Sequence, residues 1–178
     1  MTPTPRDTSW QIAPCASGRY QQWLTDRQSL TQRIEARSPG MQVRVVFQGR
    51  RILHRDERFL AKGSTHALTR DVVLYCGNTP VVYAHSVLHP GDHGAGWRLM
   101  QGMGSRPLGA ALFAEPRIRR LMLRQRKVGR GHELFKQACR VARLRGPLWA
   151  RRSLFIVGKS PILVTEVFLP GVLTLLRQ

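Results

Sequence analysis

Two charged residues stand where strand periodicity leaves little room for charge. Along residues 161–169 side chains alternate between faces, so Ile162, Val164, Glu166 and Phe168 form one row. The same parity over residues 67–76 sets Arg70 beside Val72, Leu74 and Cys76. An unpaired carboxylate or guanidinium taken out of water costs several kcal/mol, so each needs a partner or a ligand. Either Arg70 and Glu166 pair with each other or reach water at strand ends, or they are the positive and negative walls of a closed pocket. Other reactive groupings have weaker contexts. Arg151 and Arg152 are neighbours at a strand start, where one of two adjacent side chains faces inward and both can equally be solvated. His85, His89 and His93 recur every four residues, but Pro90, Gly91 and Gly94 oppose the helix that would gather them, so no metal is expected. No Ser-His-Asp or Cys-His nucleophile has a recognisable setting. Cys15, Cys76 and Cys139 are odd in number and far apart, which suits reduced thiols.

These residues must be positioned by strands and short helices. A helix is expected to begin at Leu30, since Ser29 and Gln32 have capping-box spacing. Val43, Val45 and Phe47 alternate with Arg44, Val46 and Gln48 as a half-buried strand would, with Gly49 ending the run. Residues 50–64 give no clear pattern. Strands over 67–76 and 80–88 meet at Gly77-Asn78-Thr79, a hairpin connection. Gly91, Gly94, Gly96, Gly102 and Gly104 mark a mobile excursion between His89 and Ser105 with a helical piece around 97–101. Ser105 is expected to cap a helix over 108–113, with Pro107 in its first turn, and 118–128 reads as another strand. A helix over 133–145 would set Leu134, Ala138, Val141 and Ala142 on one face and Lys136, Arg140 and Arg143 on the other. A last hairpin joins 149–157 to 161–169 through Gly158-Lys159-Ser160.

Hairpins and short helices without regular strand-helix alternation imply an α+β single domain on an antiparallel sheet. At 178 residues one core is expected, with a loosely ordered segment 1–22 ahead of a domain over 23–178. Lys and Arg number 29 against 10 Asp and Glu, which points to an anionic partner without choosing among nucleic acid, an acidic membrane and a small polycarboxylate. Residues 117–152 hold thirteen Lys and Arg with the single acid Glu133, yet lack a nucleic-acid motif with interleaved aromatics. No secretory leader or membrane-length apolar run is present, so a cytoplasmic protein is expected.

In Leu68-Thr69-Arg70-Asp71-Val72-Val73-Leu74, Pro107-Leu108-Gly109, Leu148-Trp149-Ala150-Arg151-Arg152-Ser153 and the thirteen residues from Gly158 to Pro170, the sequence resembles the chorismate lyase family of ubiquinone biosynthesis. The ordered set spans residues 23–170, nearly all of the chain. The resemblance implies helices packed on one side of the sheet and a ligand buried under two flaps, one after Ser29 and one between His89 and Ser105. It implies a ring carboxylate held by Arg70 and by the backbone N–H groups of Leu30 and Leu108, and a ring hydroxyl meeting Glu166. Leu30 and Leu108 lie in first helical turns, whose N–H groups are unsatisfied and bind carboxylates. The sequence departs from the family pattern at Thr69, at Leu30 and in the long basic stretch 130–145.

The implied reaction removes pyruvate from chorismate and leaves 4-hydroxybenzoate, with Arg70 and Glu166 as catalytic residues and no cofactor, because aromatisation drives it. Arg151 or Arg152 is a candidate for the enolpyruvyl carboxylate. The expected state is a monomer with no specific nucleic-acid partner. A reversible contact with anionic membrane is the reading of the stripe Lys136, Arg140 and Arg143. The rivals are a ligand sensor of the same fold, which would normally carry a DNA-binding domain for which the residues before Trp23 are too few, and a basic nucleic-acid-binding protein.

Overall fold

The computed structural model describes residues 9–12, 17–60 and 63–176. Six strands, β1 (Gln42–Ile52), β2 (His66–Cys76), β3 (Thr79–Leu88), β4 (Arg119–Val128), β5 (Leu148–Val157) and β6 (Ser160–Phe168), form one sheet in the order β1-β2-β3-β6-β5-β4. Every neighbouring pair is antiparallel. The architecture is therefore the expected α+β domain. The β2–β3 and β5–β6 hairpins turn on Gly77 and Gly158, whose φ values of 56° and 62° are costly for residues with a Cβ. The long-range β3–β6 pairing then joins two halves of the sheet that local turns alone would leave separate.

Five short helices accompany the sheet: α1 (Gln21–Thr25), α2 (Leu30–Arg37), α3 (Ala95–Gln101), α4 (Leu108–Ala114) and α5 (Glu133–Cys139). α2 starts where its cap predicts: the Ser29 hydroxyl accepts from the Gln32 N–H at 3.4 Å, and the Ser29 carbonyl from the Arg33 N–H. Helices α1 to α4 and the 3-10 segment Pro170–Leu176 cover one sheet face through Trp23, Leu24, Ile34, Met100, Leu108, Leu112 and Val172. Helices on one side describe only this face. The other is closed by α5 through Leu134, Phe135 and Ala138, and by the 3-10 segment Arg55–Leu60 through Leu60.

Several local expectations are corrected. β1 passes through Gly49 and reaches Ile52, with the Phe47 ring lying where a Gly49 side chain would start. A bulge between Val45 and Phe47 turns Phe47 to the opposite face from Val43 and Val45. The N-cap of α4 is Pro107, without a side-chain cap, rather than Ser105. α5 ends at Cys139, where the Arg140 and Val141 N–H groups turn back to Gln137 and Ala138. Val141, Ala142 and Leu144 still pack on the core, but no single helical face carries Lys136, Arg140 and Arg143. Of segment 1–22, residues 1–8 and 13–16, with Cys15, lie outside the described residues. Trp10 is buried, and Gln11 bonds to Gln125 along the β4 edge.

The α2 cap supports a test of this local reading. Ser29→Ala should lower unfolding free energy by about 1 kcal/mol, measured by urea denaturation. A change below about 0.3 kcal/mol would mean that tertiary packing alone sets the start of α2.

Candidate active site

The register puts the apolar rows that hold Arg70 and Glu166 on the same helix-covered face but does not pair the two residues. Arg70 lies opposite Ser86, which lies opposite Val164; Glu166 is one step along, opposite Ala84. Two strand spacings and two residues along the sheet separate their Cα atoms by about 12 Å. The floor between them is made of small side chains, Ala84, Ser86, Val164 and, on β5, Ser153. The Ser86 and Ser153 residues are buried, and neither hydroxyl has a hydrogen-bond partner among the described residues.

Arg70 is only 2% exposed. Its guanidinium donates to Gln48 Oε1 at 2.6 Å and to the carbonyls of Gly104 and Arg106 at 2.8 and 3.3 Å. All are neutral acceptors, and the buried Nε has no partner. Burial pushes its pKa below the usual guanidinium range. The glycine-rich segment expected to be a mobile excursion is thus fastened over Arg70: Gly104, at φ 51°, presents its carbonyl, Gln48 donates to the Met100 carbonyl, and Met100 and Met103 are buried.

Glu166 meets Arg151 instead. Arg151 donates from Nε to Glu166 Oε2 at 2.5 Å and from Nη2 to Oε1 at 3.5 Å, while its Nη1 holds the carbonyls of Trp23 and Asp26. Arg151 therefore fixes both Glu166 and the chain entering α2. Leu30 and Leu108 open α2 and α4, and these two N-termini converge: a methyl group on Gly109 would lie 3.0 Å from Thr31 Oγ1. Two positive helix ends facing each other near a desolvated guanidinium form an electrostatically unbalanced place.

The opposite face holds a balanced counterpart that sequence reasoning missed. Asp71, His85, Thr165 and Arg152 form a buried row there. His85 sits between Asp71, 2.5 Å from Nδ1, and Glu57, 3.2 Å from Nε2. Arg51 pairs with Asp71 at 2.7 Å, and Arg152 with Asp56 and Glu57 at 3.0 and 3.5 Å. Asp56 also takes the Trp10 ring N–H and faces His132. Burial alone would lower the His85 pKa, but the flanking carboxylates raise it to about 10. Burial would raise Glu57, yet His85 and His54 hold it well below the carboxylate range. His54, Glu57 and His85 gather donor atoms within 4.8 Å of one another, as metal ligands do. The charges fit a proton better, because His85 serves as the cation between two acids and Arg152 already neutralises Glu57. A cleft of about 720 Å³ lies beside this network, lined by His54, Arg55, Asp56, Arg126, His132 and Glu133. Its acids are already matched by cations, whereas Arg70 lacks a counter-ion among the described residues.

The sequence model of the family described as chorismate lyase matches residues 5–177. The chain belongs to the chorismate lyase family. A "probable chorismate pyruvate-lyase" of Nitrosospira multiformis is 44% identical over 173 residues, covering 94% of this chain and 96% of that one. One of the same name from Azoarcus sp. is 44% identical over 176 residues, covering 94% and 93%. The C-terminal domain of the histidine utilization repressor from Pseudomonas syringae shares the fold, with a TM-score of 0.53 at 9% identity over 74% of this chain and 92% of that one. No helix among the described residues of this chorismate lyase family member is long and apolar enough to cross a membrane.

The ion network makes stability depend on pH. Because the folded pKa of His85, about 10, lies above the ordinary histidine value of 6.5, its contribution is complete below pH 6.5 and fades as pH rises through 10. Glu57 is depressed, so its contribution holds above the ordinary carboxylate range and fades in acid. The melting temperature should therefore fall between pH 7 and 10.5. His85→Arg, whose cation does not titrate there, should fall less steeply; equal slopes would remove His85 as the cause.

Proposed function

We propose that the chain converts chorismate to 4-hydroxybenzoate and pyruvate, as the first committed step of ubiquinone synthesis in the cytoplasm. The supporting observation is Arg70: a buried guanidinium with a free Nε, surrounded by neutral acceptors and lying on the face where two helix N-termini meet. A carboxylate supplies what that place lacks. In this reading the ring carboxylate takes Arg70 and the N–H groups of Leu30 and Leu108, and the flap between His89 and Ser105 excludes water around it.

The ring hydroxyl then reaches toward Glu166. A carboxylate already clasped by the Arg151 guanidinium is fixed in place as a hydrogen-bond acceptor, so Glu166 chiefly orients the hydroxyl. Loss of pyruvate breaks the ether C–O bond and removes the hydrogen from the carbon bearing the hydroxyl. That hydrogen ends on the methyl group of pyruvate, and the electron pair of the C–H bond completes the aromatic ring. The protein's task is to hold both ends of the substrate while charge develops on the departing enolpyruvyl oxygen.

Purified protein given chorismate, without added metal or cofactor, should release 4-hydroxybenzoate and pyruvate in equal amounts, at a rate a chelator does not change. Binding without turnover would favour the sensor reading that the regulator-like fold brings in.

The two wall residues should separate in their effects. Arg70→Ala should weaken chorismate and 4-hydroxybenzoate binding together, by roughly 100-fold as a charge-assisted pair is lost. Glu166→Gln should act mainly on kcat. Folded variants with normal kinetics would refute this assignment.

A further inference from the structure

Chorismate carries a second carboxylate, on the enolpyruvyl group, and the arginines suggested for it by sequence are occupied. Arg151 is committed to Glu166 and two carbonyls. Arg152 faces the other side of the sheet, committed to Asp56, Glu57 and Thr165. Arg33 is bound to Asp26 at 2.6 Å. Arg120 differs from all of these. Its pairing with Phe155 puts it on the same face as Arg70 and Glu166, and a bulge between Arg120 and Met122 interrupts the register there. Bulges re-aim side chains in this way.

The Arg120 guanidinium lies over the Phe113 ring at 5.2 Å and donates to the Arg27 carbonyl, so it bridges α4 and the loop entering α2. It is half-buried and within electrostatic reach of Arg151, Glu166, Arg27 and Asp26. Of the two acids in that group, Asp26 is matched by Arg33 and Glu166 by Arg151. Arg120 has no acidic partner in contact among the described residues. The corner therefore carries surplus positive charge. Phe113 lies five residues along α4 from Leu108, a rise of about 7.5 Å. One short helix thus offers an N–H group at one end of the site and a seat for a guanidinium farther along.

Resting on the chorismate reading above, we propose that Arg120 binds the enolpyruvyl carboxylate, making it the residue that distinguishes substrate from product. The product retains the ring carboxylate but has lost the second one. Arg70 senses what the two molecules share, and Arg120 senses what only the substrate has.

The test compares KM for chorismate with Ki for 4-hydroxybenzoate in Arg120→Met, which keeps an apolar stem over Phe113, and in Arg120→Lys, which keeps the charge. Arg120→Met should raise KM about 10- to 100-fold and leave Ki within about twofold of wild type, and Arg120→Lys should recover part of the loss. An unchanged KM, or a parallel rise in KM and Ki, would overturn the proposal, since a merely structural role moves both ligands together. If Arg120→Met does not fold by circular dichroism, Arg120→Gln, which can still donate to the Arg27 carbonyl, carries the same comparison. Failure of the wild type to turn over chorismate would count against the proposed function; the difference between chorismate and 4-hydroxybenzoate binding, measured by calorimetry, would then still decide the role of Arg120.

Discussion

A guanidinium removed from water needs either a counter-ion or enough oriented dipoles to replace its hydration, and Arg70 has been given only dipoles. Gln48 on the neighbouring strand and two flap carbonyls supply them. Much of the architecture follows from that choice. The segment between His89 and Ser105 lies over Arg70 so that the Gly104 carbonyl reaches it, Met100 and Met103 anchor that segment in the core, and Gln48 is itself oriented by a bond to the Met100 carbonyl. The positive charge stays uncancelled by any acid among the described residues, so on the proposed function it is ready for an anion before one arrives.

Such preparation needs a stiff support, and the opposite face provides it. Arg70 and Asp71 are adjacent on β2 and point to opposite sides. Asp71 is fixed by Arg51 and His85, and His85 is tied through Glu57 to Arg152, which neighbours Arg151 on β5. The two central hairpins are thereby cross-braced beneath the site by a network whose charges nearly cancel. One face of the sheet spends its ionic interactions internally and holds shape; the other pairs Glu166 with Arg151 but leaves Arg70 without an acid among the described residues.

The parity argument was sufficient to single out Arg70 and Glu166 as charges in apolar rows, because both strands are regular at those points; that the two rows share one face follows from the β2-β3-β6 register. The same argument applied to the other rows would have found Asp71, His85 and Arg152, which also interrupt apolar faces. Asp56 and Glu57 were not legible, since a 3-10 turn in a charged stretch has no periodicity to violate. Nor could the partner of Glu166 be read off: whether it met Arg70 or Arg151 depended on the strand order β2-β3-β6-β5, which is a long-range property. The bulges were hidden for a related reason. One extra residue in β1 flips Phe47, and one in β4 aims Arg120, while the alternation on either side looks unbroken. The end of α5 at Cys139 was missed because its apolar face continues to pack after the helix has stopped.

On the proposed reaction, the anchor and the catalytic groups need not be the same. The ring carboxylate is chemically unchanged from chorismate to 4-hydroxybenzoate, so whatever Arg70 and the helix N-termini contribute is felt by substrate, transition state and product nearly alike. Uniform binding of this kind sets occupancy and position without lowering the barrier from the bound state. Rate must come from the other end, where the ether bond breaks and negative charge gathers on the leaving enolpyruvyl oxygen. Among the described residues Arg120, above Phe113 and without an acid in contact, is the unmatched cation near the Arg151–Glu166 pair. A site built this way grips its product through the same anchor that grips its substrate. On that reaction release means parting the Gly104 and Arg106 carbonyls from Arg70, so the contacts that leave the guanidinium ready for an anion are also those that give way when the anion leaves.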